Sequence, residues 1–167
     1  ARGMSEAAEA FGAPFISGKD SFYNSFETPD GRTVSVPMTL VMSALGIVED
    51  VEHVLGTAVQ SDDSRLCLIG ETRSELQGTA YAEDVGEDYS DVPDVDSEQA
   101  INRYRTFYKC VEEGLVRSAH DVSEGGLAVC LAEMSFGKRA GLNVKLGSLT
   151  DGENMTATEI LFSETGG

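Results

Sequence analysis

Three short clusters carry the residue types that chemistry needs. In Ser17-Gly18-Lys19-Asp20-Ser21, Gly18 lets the backbone approach a bulky ligand and Lys19 offers a positive charge to a phosphate. Asp20 supplies a hard oxygen for Mg2+, and Ser21 a hydroxyl. The cluster is not a P-loop, because GxxxxGK[ST] is absent; an ordinary turn would be spelled the same way. The second cluster, His120-Asp121-Val122-Ser123-Glu124-Gly125-Gly126-Leu127, reads as a strand-to-helix turn. Ser123 can cap the helix, and a helix N-terminus with two glycines presents N–H groups that favour anions. Asp121 can sit beside such an anion only with a metal between them. On the alternative reading, Gly125 and Gly126 permit close helix–sheet packing while His120 and Asp121 satisfy each other. His120 and Asp121 are neighbours and point apart, and no G-x-S-x-G elbow occurs, so a nucleophilic triad is excluded. The third cluster is 161–167 (LFSETGG), where an apolar segment delivers Glu164 and then glycines. Glu164 either acts at a ligand or caps backbone N–H groups. His53 stands alone in a polar stretch and reads as inert surface.

The elements that must position these clusters follow from periodicity and turn chemistry. Residues 2–11 are rich in alanine and glutamate and predict a helix, with Gly12 as its cap and Pro14 as its stop. Residues 15–26 read as a strand broken at Gly18, and 28–32 (TPDGR) as a hairpin turn. Residues 34–48 then form a long apolar strand that pairs back antiparallel. Residues 51–64 are polar and mark a linker. Beyond it the sequence predicts strands at 65–69, 115–119, 142–146 and 159–162, and helices at about 74–81, 97–113 and 124–136. The helix at 97–113 carries one apolar stripe, Ile101, Tyr104, Phe107, Tyr108, Val111 and Leu115, with Ser97 and Gly114 as its caps. Alternating strands and helices make the second part α/β or α+β.

Composition closes off several function classes. The chain has 29 acidic against 12 basic residues, a net charge of −17. Nothing could neutralise a nucleic-acid backbone, so no such partner is expected. Much of the excess lies in 82–99, read as a solvated loop. No apolar stretch is long enough to span a membrane and no targeting leader is visible, so a cytoplasmic protein without a membrane partner is expected. Cys67, Cys110 and Cys130 are odd in number and widely spaced, so free thiols are expected, buried at Cys67 and Cys130, and no zinc site. The sequence opens in a helix and stops after an apolar segment, which suggests a fragment.

Taken together, Arg2–Ala7 (RGMSEA), 14–24 (PFISGKDSFYN) and 46–50 (GIVED) resemble the closing part of an ATP-binding-type domain of the phosphoribosylformylglycinamidine synthase family. Residues 68–76, 118–128 (SAHDVSEGGLA) and 161–164 (LFSE) resemble its C-terminal, AIR-synthase-related domain. The resemblance implies a division into 1–50, the end of the second AIR-synthase-type N-domain; 51–64, a linker; and 65–167, the second C-terminal domain, truncated. It implies an α/β (α+β) fold in which the C-terminal domain is a sandwich with a mixed sheet, preceded by a helix and β-hairpin. The implied activity is an ATP-dependent ligation in which formylglycinamide ribonucleotide becomes the amidine with glutamine-derived ammonia. ATP and Mg2+ are the implied cofactors, and the rest of the synthase chain and a glutaminase the implied partners. Residue by residue, Gly18 matches an ATP-contacting position, Lys19 beside it can contact phosphate directly, and Ser21 matches the substrate-associated serine. Asp121 and Ser123 match a metal aspartate and a nucleotide-contacting serine, and Asp20 is a second metal candidate. Lys19 stands where many members have a metal-binding asparagine. The family's catalytic histidine lies in the other half and is not His120. A different class remains open: a non-catalytic half that binds an auxiliary nucleotide or only stabilises its partner half. AIR synthase, thiamine-monophosphate kinase and selenophosphate synthetase are further relatives, which the segments 18–24 and 46–50 argue against.

Overall fold

Helix α1, Arg2–Phe11, begins the chain in the computed structural model, which describes residues 2–19, 24–37, 39–87, 92–139, 141–149 and 154–165. Alanine and glutamate favour this helix, and an exposed Arg2–Glu6 pair one turn apart adds little more. It ends as expected at Gly12, which takes a φ of +62° while Ala13 N–H reaches back to Ala8 O at 2.9 Å. Strands β1 (Ser25–Glu27) and β2 (Thr33–Ser35) pair antiparallel, with Phe26 opposite Val34. The turn between them is closed by Asp30, which accepts from the Thr28 hydroxyl and from Arg32 Nε. Those two bonds, Thr28 first, hold its carboxyl below the usual aspartate range.

These elements lie in one compact unit, Ala1–Glu49; Asp50–Gly167 forms a second. Among the described residues, the long strands expected at 15–26 and 34–48 are reduced to this three-residue ladder. None of the described residues of the first unit is buried, and Leu45 and Ile47 are each 91% exposed. A strand is defined by a neighbour at about 4.8 Å, so an apolar pattern without a partner stays extended but unpaired.

In the second unit the helices are α2 (Ala80–Val85), α3 (Ser97–Glu112), α4 (Gly126–Phe136) and α5 (Ala157–Phe162). Among the described residues the chain is therefore α+β, with four α-helices here and a small antiparallel sheet in the first unit. A mixed sheet is not formed among the described residues. The expected strands at 65–69, 115–119 and 142–146 run without a ladder, and neighbouring backbone finds other partners: Val59 N–H bonds Met134 O at 3.0 Å and Ala119 N–H bonds Gly56 O at 3.1 Å. The expected strand at 159–162 is instead α5. Its cause is a reciprocal capping box: Glu159 N–H donates to Thr156 Oγ1 at 3.2 Å, and Thr156 N–H donates to Glu159 Oε2 at 2.6 Å.

Two caps also differ from expectation. Asp96, not Ser97, caps α3, accepting from Gln99 N–H at 3.0 Å, while Gly114 takes the left-handed turn after its end. The helix expected at 74–81 begins only after Gly78, where buried Thr79 accepts from Ala82 N–H and donates to Leu76 O at 2.6 Å. The stripe on α3 is only half covered: Val111 is buried, but Tyr104, Tyr108 and Leu115 are exposed. Burial concentrates on α4, where Leu127, Cys130 and Met134 are buried about one turn apart, and Cys130 and Met134 pack with Val59, Val122 and Leu142. Cys67, expected inside, is exposed because its segment is unpaired; Cys130 is buried, and burial raises its thiol pKa.

Candidate functional site

The turn into α4 is where the sequence-predicted residues and the packing meet. Ser123 was expected to cap this helix; its hydroxyl makes no cap bond, and Gly125, at a φ of +81°, is the capping residue. The acceptor comes from another element. Glu164 Oε1 accepts from Gly125 N–H at 2.8 Å and also from Ala80 N–H, the first residue of α2, at 2.8 Å. Of the two readings open for Glu164, the geometry is that of the backbone cap. A carboxylate at two helix starts is stabilised by charge-assisted hydrogen bonds and by the positive helix ends.

Glu164 is held by its neighbours. Ser163 and Thr165 are both buried. Ser163 Oγ accepts from Glu75 N–H at 3.2 Å, while Thr165 Oγ1 accepts from Arg73 N–H at 3.2 Å and donates to Glu75 Oε2 at 2.8 Å. Tyr81 stacks on Phe162 with ring centroids 4.9 Å apart. Gly126 then lies directly under this segment. A Cβ there would stand 2.7 Å from Ser163 O and 2.8 Å from Leu161 O. The second glycine is thus required by close packing, against the end of a helix and not against a sheet.

His120 anchors the other end of the turn. Its side chain is 14% exposed, with Nδ1 2.8 Å from Asp121 O and Nε2 2.7 Å from Glu133 Oε2 on α4. Both partners can only accept, so the doubly protonated ring satisfies both. The Asp121 carbonyl and, behind it, the Glu133 carboxylate raise the His120 pKa, against the opposing effect of burial.

With both flanks fixed, Asp121 and Ser123 project outward. The Asp121 side chain is 79% exposed, its carboxylate 3.4 Å from His120 Nδ1, and Ser123 is exposed as well. His120 and Asp121 line a cavity of about 970 Å³ in the second unit, together with Asp63, Arg65, Arg103 and Arg117. The arginines bring positive charge to a strongly acidic chain, a feature hidden in the sequence because they lie far apart along it. No group of three or more metal-capable side chains gathers among the described residues. Mg2+ needs none, since it is commonly held by one or two carboxylates with water and phosphate oxygens completing its shell. Asp121 fits one such position.

In the first unit, Gly18 and Lys19 lie in an extended, exposed segment, and nothing stands within 4 Å of a Cβ built on Gly18. Asp20 and Ser21 fall outside the described residues. No helix among the described residues is long and apolar enough to cross a membrane.

Three curated relatives match nearly the whole chain. The chain is 32% identical to a phosphoribosylformylglycinamidine synthase subunit PurL from Lactobacillus helveticus, over 99% of this chain and 21% of that protein. It is 34% identical to the protein of the same name from Leifsonia xyli subsp. xyli, over 98% of this chain and 21% of the relative. The Thermococcus sibiricus protein of that name is 32% identical over 99% of this chain and 22% of its own length. The chain therefore spans about a fifth of the length of these curated relatives. Residues 61–167 match the family described as AIR synthase related protein, C-terminal domain, and by that match the chain belongs to the AIR-synthase-related family.

Proposed function

We propose that this chain is part of an ATP-dependent ligase that converts formylglycinamide ribonucleotide to the amidine with glutamine-derived ammonia. The observation that carries this reading is the 32–34% identity, over nearly the whole chain, to proteins named as phosphoribosylformylglycinamidine synthase subunits. In the reaction the amide oxygen takes the γ-phosphoryl group, ADP leaves, and ammonia then displaces phosphate from the iminophosphate carbon. Residues 1–50 would close an ATP-binding domain, 51–64 link it onward, and 65–167 belong to the C-terminal domain. A glutaminase and the rest of the synthase are the partners, in the cytoplasm. The word "subunit" in the relatives' names supports an assembly of this kind.

On this reading the chain's own residues bind and orient. Lys19 and the Gly18 backbone meet phosphate oxygens, Ser21 meets the ribonucleotide, and Ser123 donates its hydroxyl to the nucleotide. Asp121 supplies one oxygen ligand to Mg2+, with Asp20 a second candidate. Mg2+, when bound, neutralises phosphate charge that builds up in phosphoryl transfer. His120 takes no proton from substrate, because its ring nitrogens are committed to Asp121 O and Glu133.

The test uses the full-length protein that carries this chain. Asp121→Asn and Ser123→Ala are expected to weaken ADP binding in the presence of Mg2+, read by calorimetry. Lys19→Ala is expected to raise KM for ATP in an assay of ammonia-dependent amidine formation. A protein that forms no amidine, yet binds ADP through Asp121 and Ser123, is instead the non-catalytic nucleotide-binding relative. Wild-type behaviour of all three variants sinks the site assignment.

A further inference from the structure

We propose that Glu164 is a positioning residue for the nucleotide loop, setting where Asp121 and Ser123 point by holding the backbone two residues beyond Ser123. The inference rests on the nucleotide reading above. A helix start preceded by two glycines suggests free N–H groups waiting for a phosphate, but Gly125 N–H is already taken by Glu164 Oε1 at 2.8 Å. The same oxygen takes Ala80 N–H, so one carboxylate brings the starts of α2 and α4 to a single point. A phosphate arriving here would meet a fixed negative charge where the sequence suggested open donors. The anion is therefore gripped by side chains of the exposed loop and not by this helix start.

The backbone at this turn is pinned from two directions. Glu164 pulls on Gly125, and Gly126, at a φ of +65°, is pressed against the carbonyl oxygens of Leu161 and Ser163. His120, bonded to Glu133, fixes the loop at its other end. Between these anchors, Asp121 and Ser123 are exposed; the Ser123 carbonyl accepts from Gly126 N–H at 2.9 Å and the Asp121 carboxylate lies 3.4 Å from His120 Nδ1, so the turn backbone and His120 together set their directions. Glu164 touches neither residue; it acts through Gly125.

The experiment uses the full-length protein and ADP with Mg2+ as the probe, with calorimetric affinity measured well below the melting temperature. Glu164→Ala is expected to weaken ADP binding about tenfold, the scale of one charge-assisted hydrogen bond. Glu164→Gln keeps an oxygen at the same place and is expected to stay within about threefold of wild type. Glu164→Asp, one methylene shorter, serves where the alanine variant does not fold, and is expected to behave like it. Hydrogen–deuterium exchange of the peptide covering 118–127 reads the pinning directly and rises in Glu164→Ala and Glu164→Asp but not in Glu164→Gln. Two results overturn the proposal: unchanged ADP affinity in Glu164→Ala or Glu164→Asp despite a lowered melting temperature, or a glutamine variant as weak as the alanine one. If Ser123→Ala and Asp121→Asn also leave affinity unchanged, the nucleotide reading itself has failed. If they weaken binding while the Glu164 variants do not, only the role of Glu164 has failed.

Discussion

Replacing Gly126 by alanine tests the packing on which the site depends. The new methyl would sit 2.7 Å from Ser163 O, 2.8 Å from Leu161 O and 2.9 Å from the carbonyl carbon of Phe162, all of them backbone atoms that cannot swing aside. The position also has a φ of +65°, which costs an L-residue about 1 kcal/mol. Forced overpacking adds about 2 kcal/mol, for a total of about 3 kcal/mol. In a unit the size of Asp50–Gly167 that lowers the melting temperature by about 10 °C. Gly114→Ala is the control: its φ of +68° is nearly the same, yet nothing lies within 4 Å of the added carbon, so only about 1 kcal/mol is expected. The assay is a temperature series of hydrogen–deuterium exchange in the protein carrying this chain, following the loss of protection over 118–136. If Gly126→Ala and Gly114→Ala shift that transition equally, the close contact between α4 and the segment after α5 is refuted.

Three further outcomes follow from the same geometry. His120 should titrate above 6.5, and its contribution to stability, complete below that value, should be lost as pH rises through the higher folded pKa; NMR of the imidazole, with Glu133→Gln lowering the midpoint, measures this. Glu159, held down to about 2 by Ser74 and by the Thr156 backbone and hydroxyl, stabilises α5 above about pH 4.5 and releases it as pH falls through about 2. Acid titration of the helical signal should show that step, and Glu159→Gln should remove it. Thr79→Ala deletes a buried cap with both an accepted and a donated bond, and should cost about 1–2 kcal/mol in thermal melts, most of it restored by Thr79→Ser.

Local signals were the readable part of this chain. The alanine-rich α1, the Asp30-Gly31 hairpin and the helix at about 124–136 each depend on nearby residues and formed where the sequence put them. The helix α5 was readable too, since Thr156-Ala157-Thr158-Glu159 spells a capping box, but the apolar run behind it resembled a strand. Strand length was not readable at 15–26 or 34–48, because pairing depends on a partner strand and not on the pattern of one segment. The strand-to-helix turn that carries Asp121 and Ser123 could be picked out from its motif. The commitment of Glu164 to Gly125 and Ala80 could not, because it joins three segments that are distant in sequence.

That distance has a consequence for how the protein is made. Residues 163–165 close contacts with 73–80 across 84 to 92 positions of chain. Contacts of such separation carry a large loop-closure entropy and form late. During synthesis, at roughly 5–20 residues per second, the turn at 120–126 emerges several seconds before the segment that fastens it. Until then α4 has no acceptor from Glu164 at its start. The turn into α4 is therefore fastened only once a residue 39 positions further along has been made, and a nascent chain halted before Ser163 would carry the motif without this fastening.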